Sequence, residues 1–105
     1  MKIIITSSGN KLSSEFDLRF GRAAWFCLYN EETGKSEFFE NKYSNAQGGA
    51  GSKASEFIIE LGARKVISGD FGPKAKDLLE QFNIQMVIIE NESYTIKDII
   101  GKLSK

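Results

Sequence analysis

The chain has no histidine among its 105 residues, one cysteine and one proline. Without histidine there is no Ser-His-Asp triad, no general base that titrates near neutrality unaided, and no ordinary zinc site. A single cysteine excludes an internal disulfide framework and the set of thiolates that a tightly held iron–sulfur cluster needs. It suits a reducing compartment, and the cytoplasm is the expected location. Charge of one sign is also missing. Lys and Arg number 14 against 14 Asp and Glu, so the formal net charge is zero. No global field recruits nucleic acid or an anionic membrane. Long hydrophobic runs are absent too, and none approaches the ~20 residues of a membrane span. The apolar start at Ile3-Ile4-Ile5 is too short for a signal peptide and reads as a strand.

What is present suits one domain covering 1–105. Hydrophobic residues make up 41% of the chain, eight of them Phe, enough for a real core. The β-branched run Ile3-Ile4-Ile5 ends in the turn formers Thr6-Ser7-Ser8-Gly9-Asn10, as a central strand feeding a loop does. That loop continues to Phe20-Gly21-Arg22, a length that usually signals function. Ala24 to Tyr29 is apolar on both faces and predicts a buried strand. A turn over Glu31-Glu32-Thr33-Gly34 then returns Ser36 to Glu40 as an antiparallel partner near a sheet edge.

From Asn41 the character changes. A polar stretch to Gln47 leads into Gly48-Gly49-Ala50-Gly51. A helix follows, with Ala50, Ala54, Phe57, Ile58 and Leu61 on one face and Gly62 as its stop. Val66-Ile67 is a short strand, and Gly69-Asp70-Phe71-Gly72 opens a second helix with Pro73 in its first turn. Ala75, Leu78, Leu79 and Phe82 mark its stripe. Ile84 to Ile89 is the last strand. Thr95 and Asp98 form a capping box for a helix along Ile96, Ile99, Ile100 and Leu103. Alternating strands and helices in the second half imply right-handed crossovers in a parallel sheet, and the hairpin makes it mixed, so the fold class is α/β.

Few residues can carry catalysis. Cys27 lies between Phe26 and Leu28 and reads as a core residue, as do Trp25 and Phe26. Asp70 alone is a strand-end carboxylate in a glycine loop, and one carboxylate makes neither a two-metal site nor a glycosidase pair. The loops say more. Gly48 to Gly51 and Gly69 to Gly72 each follow a strand and open a helix, where unpaired N–H groups suit an anion. Lys53 and Lys74 fall in those first turns, where a cation opposes the helix dipole unless an anion joins it. Arg22, beside Gly21, can offer a planar fork to an oxyanion. Neither glycine loop matches a P-loop or a dinucleotide fingerprint. The bland alternatives are solvated lysines, glycines that only permit tight turns, and an Arg22 engaged in a surface ion pair.

Phe20-Gly21-Arg22-Ala23, Gly48-Gly49-Ala50-Gly51 and Gly69-Asp70-Phe71-Gly72-Pro73-Lys74-Ala75 occur in that order, framed by Met1-Lys2-Ile3 and Thr33-Gly34. Together they make nearly the whole chain resemble the dinitrogenase iron–molybdenum cofactor biosynthesis family, the NifX-like domain also found at the end of NifB-type proteins. The resemblance implies a ribonuclease H-like motif: a five-stranded mixed sheet, order 3-2-1-4-5, strand 2 antiparallel, flanked by helices. It implies a non-enzymatic protein that binds or carries the iron–molybdenum cofactor or its iron–sulfur precursor, with cofactor-assembly proteins as partners. By position it places binding on Phe20, Gly21 and Arg22; on Asn45, Gln47, Gly48, Gly49, Ala50 and Gly51; and on Gly69, Asp70, Gly72 and Lys74. Members often carry histidines where this chain has Arg19, Asn45 and Gln47, and amides are poor ligands for iron. Two readings therefore stand: a cluster carrier that holds its cargo through backbone N–H groups and Arg22, and a binding or regulatory module for another small anion or a protein partner. A metal-dependent nuclease on this fold would need several clustered carboxylates.

Overall fold

The computed structural model describes residues 1–91 and 93–103. Its centre is β1 (Lys2–Ser7), in which Ile3, Ile4 and Ile5 are fully buried. β1 lies between β2 (Trp25–Asn30) and β4 (Lys65–Ser68), and β3 (Ser36–Glu40) and β5 (Gln85–Ile88) close the two sides, giving the order β3-β2-β1-β4-β5. β2 is antiparallel to both neighbours, whereas β1–β4 and β4–β5 pair in parallel. Ile4 stands opposite Leu28 on one side and Val66 on the other. The fold is the α/β arrangement expected, a five-stranded mixed sheet flanked by helices. Because β1, β3, β4 and β5 run the same way, their carboxyl ends share one rim.

Side-chain alternation along β1 feeds two cores. Ile4 joins Phe26, Val66, Ala54, Ile58 and Leu79 beneath α1 (Ala50–Glu60) and α2 (Pro73–Gln81). Ile3 and Ile5 join Cys27, Ile67, Ile96 and Ile99 beneath α3 (Ile96–Leu103) on the other face. Burial pushes the Cys27 thiol up to about 11, against the opposing effect of a hydrogen bond with Ser36. α3 starts on the expected capping box: the Thr95 N–H donates to Asp98 Oδ2 at 2.9 Å and the Asp98 N–H to Thr95 Oγ1 at 3.2 Å. These bonds hold the Asp98 carboxyl below its ordinary value.

Two expectations shift. Phe82, expected on the α2 stripe, is 54% exposed because the helix ends at Gln81 and Asn83, at φ 57°, turns the chain toward β5. Trp25 is only half-buried, since it starts β2 at the rim, paired with Ser7 and Glu40. The long connection from β1 to β2 is pinned throughout. Asp17 N–H donates to Thr6 O, Phe16 N–H to Tyr94 O, and Gly69 N–H to Leu18 O.

Thr95→Ala is expected to cost about 1 kcal/mol, the usual loss of an N-cap, read from the urea midpoint. Cys27 sets an alkaline limit. The unfolded thiol ionises near 9.0 while the folded one holds its proton to about 11, so the unfolded chain binds fewer protons in between. The Cys27 contribution to stability should be flat below that window and fall across it, and Cys27→Ala should remove that part of the slope.

Candidate functional site

Both helices on the α1/α2 face begin without a side-chain cap. Gly49 caps α1 at φ 71° and Gly72 caps α2 at φ 67°, backbone conformations that favour glycine, and neither first turn holds an acidic residue. The first helical bonds are Lys53 N–H to Gly49 O and Lys76 N–H to Gly72 O. The N–H groups of Ala50, Gly51 and Ser52, and of Lys74 and Ala75, therefore carry the unspent donors and partial positive charge of two helix starts. Both starts open onto one cleft of about 470 Å³, whose walls are residues 19–22, 49–52 and 70–75.

The 20–22 wall is fixed from beneath and from the side. Phe20 is buried, its ring 5.4 Å from Phe71 and 6.0 Å from Phe26. Gly21 lies against the first turn of α1 so closely that a Cβ would fall 2.8 Å from Gly51 N. Only glycine allows that approach. Arg22 reaches across to the 41–47 segment, where Nη1 donates to Ser44 O at 2.9 Å and Ala46 O at 2.5 Å. Its Nε and Nη2 have no partner among the described residues. Arg19 is held in a bidentate pair with buried Asp17, through Nε at 3.1 Å and Nη2 at 3.1 Å, and that pairing raises the already high pKa of its guanidinium. With the Arg19 charge matched by Asp17, Arg22 and Lys74 are set against Asp70, so the cleft is positive although the chain is neutral. Asp70 lies at the mouth of α2, its Oδ1 a distant 3.4 Å from the Gly72 N–H.

Most of the sequence-derived positions converge here. Phe20, Gly21 and Arg22 form one wall; Gly49, Ala50 and Gly51 a second; Asp70, Gly72 and Lys74 the third. Asn45, Gln47 and Gly48 are exposed and stand outside the cleft, as does Gly69, where a Cβ would meet Leu18 O at 2.7 Å. Lys53 also points elsewhere, its ammonium 6.0 Å from the centre of the Tyr43 ring. Sequence reasoning passed over Arg19, Ser52, Phe71, Pro73 and Ala75 as lining residues. Their signal was adjacency: each directly neighbours a position already singled out.

The model of the dinitrogenase iron–molybdenum cofactor family matches residues 1–105. The chain belongs to that family. An uncharacterized protein of Methanocaldococcus jannaschii is 30% identical over 89 residues, 82% of this chain and 72% of its own length. Among solved structures, the apo form of the orange protein from Desulfovibrio gigas superimposes with a TM-score of 0.91 at 29% identity, covering 98% of this chain and 86% of that one. A NifB-like protein from Thermotoga follows the same path with a TM-score of 0.83, again at 29% identity and with coverages of 98% and 86%. Family and fold thus agree with the resemblance read from the glycine loops. No helix among the described residues is long and apolar enough to cross a membrane.

The glycines separate structural from ligand roles. Gly21→Ala should destabilise the protein by about 1–3 kcal/mol through overpacking against α1. Gly48 has open space around it and no positive φ, so Gly48→Ala should stay within about 0.5 kcal/mol of the parent in urea unfolding.

Proposed function

We propose that this member of the family is a non-enzymatic carrier, which binds an anionic metallocluster, the iron–molybdenum cofactor or its iron–sulfur precursor, in the cleft between α1 and α2. The observation that carries the reading is the opening of two uncapped helix N-termini, with Arg19, Arg22 and Lys74, onto one cavity. Backbone N–H groups and fixed cations bind an anion without covalent chemistry.

The chain's donor set does not fit direct ligation of iron or molybdenum. No group of three His, Cys, Asp or Glu able to hold a metal ion occurs among the described residues, and Cys27 is fully buried. What does fit is a cluster that brings its own ligands and is gripped as a whole anion. The same fit admits a plain oxyanion, which keeps a second reading: a binding or regulatory module for another small anion or for a protein partner. A cargo of this kind also implies transient encounters with cofactor-assembly proteins, which deliver and receive it.

Anaerobic incubation with the cofactor precursor, then gel filtration with visible absorption, tests the carrier role. Colour should co-elute with the protein, and Lys74→Glu should weaken retention roughly tenfold, as expected for reversing one near charge. Colour that elutes apart from the protein defeats the carrier reading. Thermal unfolding with phosphate, molybdate and a nucleotide tests the second: one of them should raise the midpoint, less so in Lys74→Ala. A midpoint unmoved across that panel counts against it.

A further inference from the structure

Asn41 lies outside the cleft, yet it is 3% exposed and its side chain makes three hydrogen bonds near the rim. Its Nδ2 donates to Gly21 O and to Ala23 O, both at 2.9 Å, while Oδ1 accepts the Tyr43 N–H at 3.0 Å. The amide is fully oriented, because only Nδ2 can donate to carbonyls and only the oxygen can accept an N–H. Asn41 thus reaches from the 41–47 segment to hold the backbone of the 20–23 segment. Arg22 does the reverse, reaching from the 20–23 segment to hold the Ser44 and Ala46 carbonyls.

We propose that Asn41 and Arg22 form a reciprocal latch that locks these two segments into one wall, and that Asn41 is the positioning residue of the cleft. Each side chain grips the other's backbone, so neither segment can shift without breaking bonds at both ends. Gly21 transmits the setting. It stands against the first turn of α1 with no room for a Cβ, so the height at which Asn41 holds its carbonyl fixes where the wall meets the helix start. Arg22 has a structural task through Nη1 as well as the free Nε and Nη2 it can turn to a ligand. The affinity part of the proposal rests on the anion-site reading; the latch itself does not.

NMR on the full chain separates the two. In Arg22→Ala, which removes only an exposed side chain, the Asn41 side-chain amide protons should exchange faster, although the Arg22 side chain forms no hydrogen bond with them. In Asn41→Asp the acceptor for Tyr43 survives and both donors are lost, so the carbonyl carbon resonances of Ser44 and Ala46 should move along with those of Gly21 and Ala23. Molybdate titrated against the amides of Gly51 and Lys74 should bind Asn41→Asp roughly tenfold more weakly than wild type. An Asn41 amide whose exchange is unchanged by Arg22→Ala overturns the latch. Equal molybdate affinity in wild type and Asn41→Asp overturns the positioning role. Coupled shifts with no molybdate binding by wild type support the latch and count against the anion-site reading alone. Were Asn41→Asp to unfold, Arg22→Ala alone still decides the coupling.

Discussion

Ile3, Ile4 and Ile5 are all withdrawn from water, so β1 has to be covered on both faces. That requirement orders the rest of the molecule. One face receives α1 and α2, the other receives α3, and the neighbouring strands supply the edges of both cores. Because β2 runs antiparallel to β1, it starts at the rim where β1 ends, with Trp25 opposite Ser7, and the connection between them stays at that rim. The connection therefore crosses the rim where β4 ends and where α1 and α2 begin. The cleft follows from that crossing: the 20–22 segment is brought against two helix starts, with Leu18 O accepting the Gly69 N–H and Gly21 packed on Gly51.

How much of this could be read in the sequence depended on how local its cause was. The isoleucine run, the turn ending at Gly34, the glycine entries to both helices and the Thr95–Asp98 box are each set within a few residues, and each was legible. Phe82 was not, because its exposure depends on where α2 stops relative to β5. Nor was the direction of Lys53, which sits in the first turn of α1 as expected but is drawn to Tyr43 on a different segment. Arg19 stood out only as a position where family members carry histidine, and its pairing with Asp17 was not legible because only the folded loop buries that carboxylate. Asn41 is the clearest case. Before folding it is one polar residue in a polar stretch, and its role exists only once Gly21 and Ala23 are beside it.

The chemistry has the same two-level character. Composition removed imidazole and thiolate chemistry at once, and the fold then buried the one thiol beneath α3. Composition also gave a neutral chain, and here the fold added something that counting could not show. It gathered two cations not matched by a carboxylate partner, Arg22 and Lys74, and the donor ends of two helices around Asp70. Family membership says what lineage this cleft comes from; the donors lining it say how a ligand there has to be held.

The contrast between the helices has a wider consequence. α3 is finished by its own side chains, whereas α1 and α2 start on glycine with their first N–H groups unspent. On the proposed reading, the cargo is the missing piece of both helices, so loading and the completion of the fold are one event. An empty copy then leaves those N–H groups to water, and a loaded one shields them from exchange.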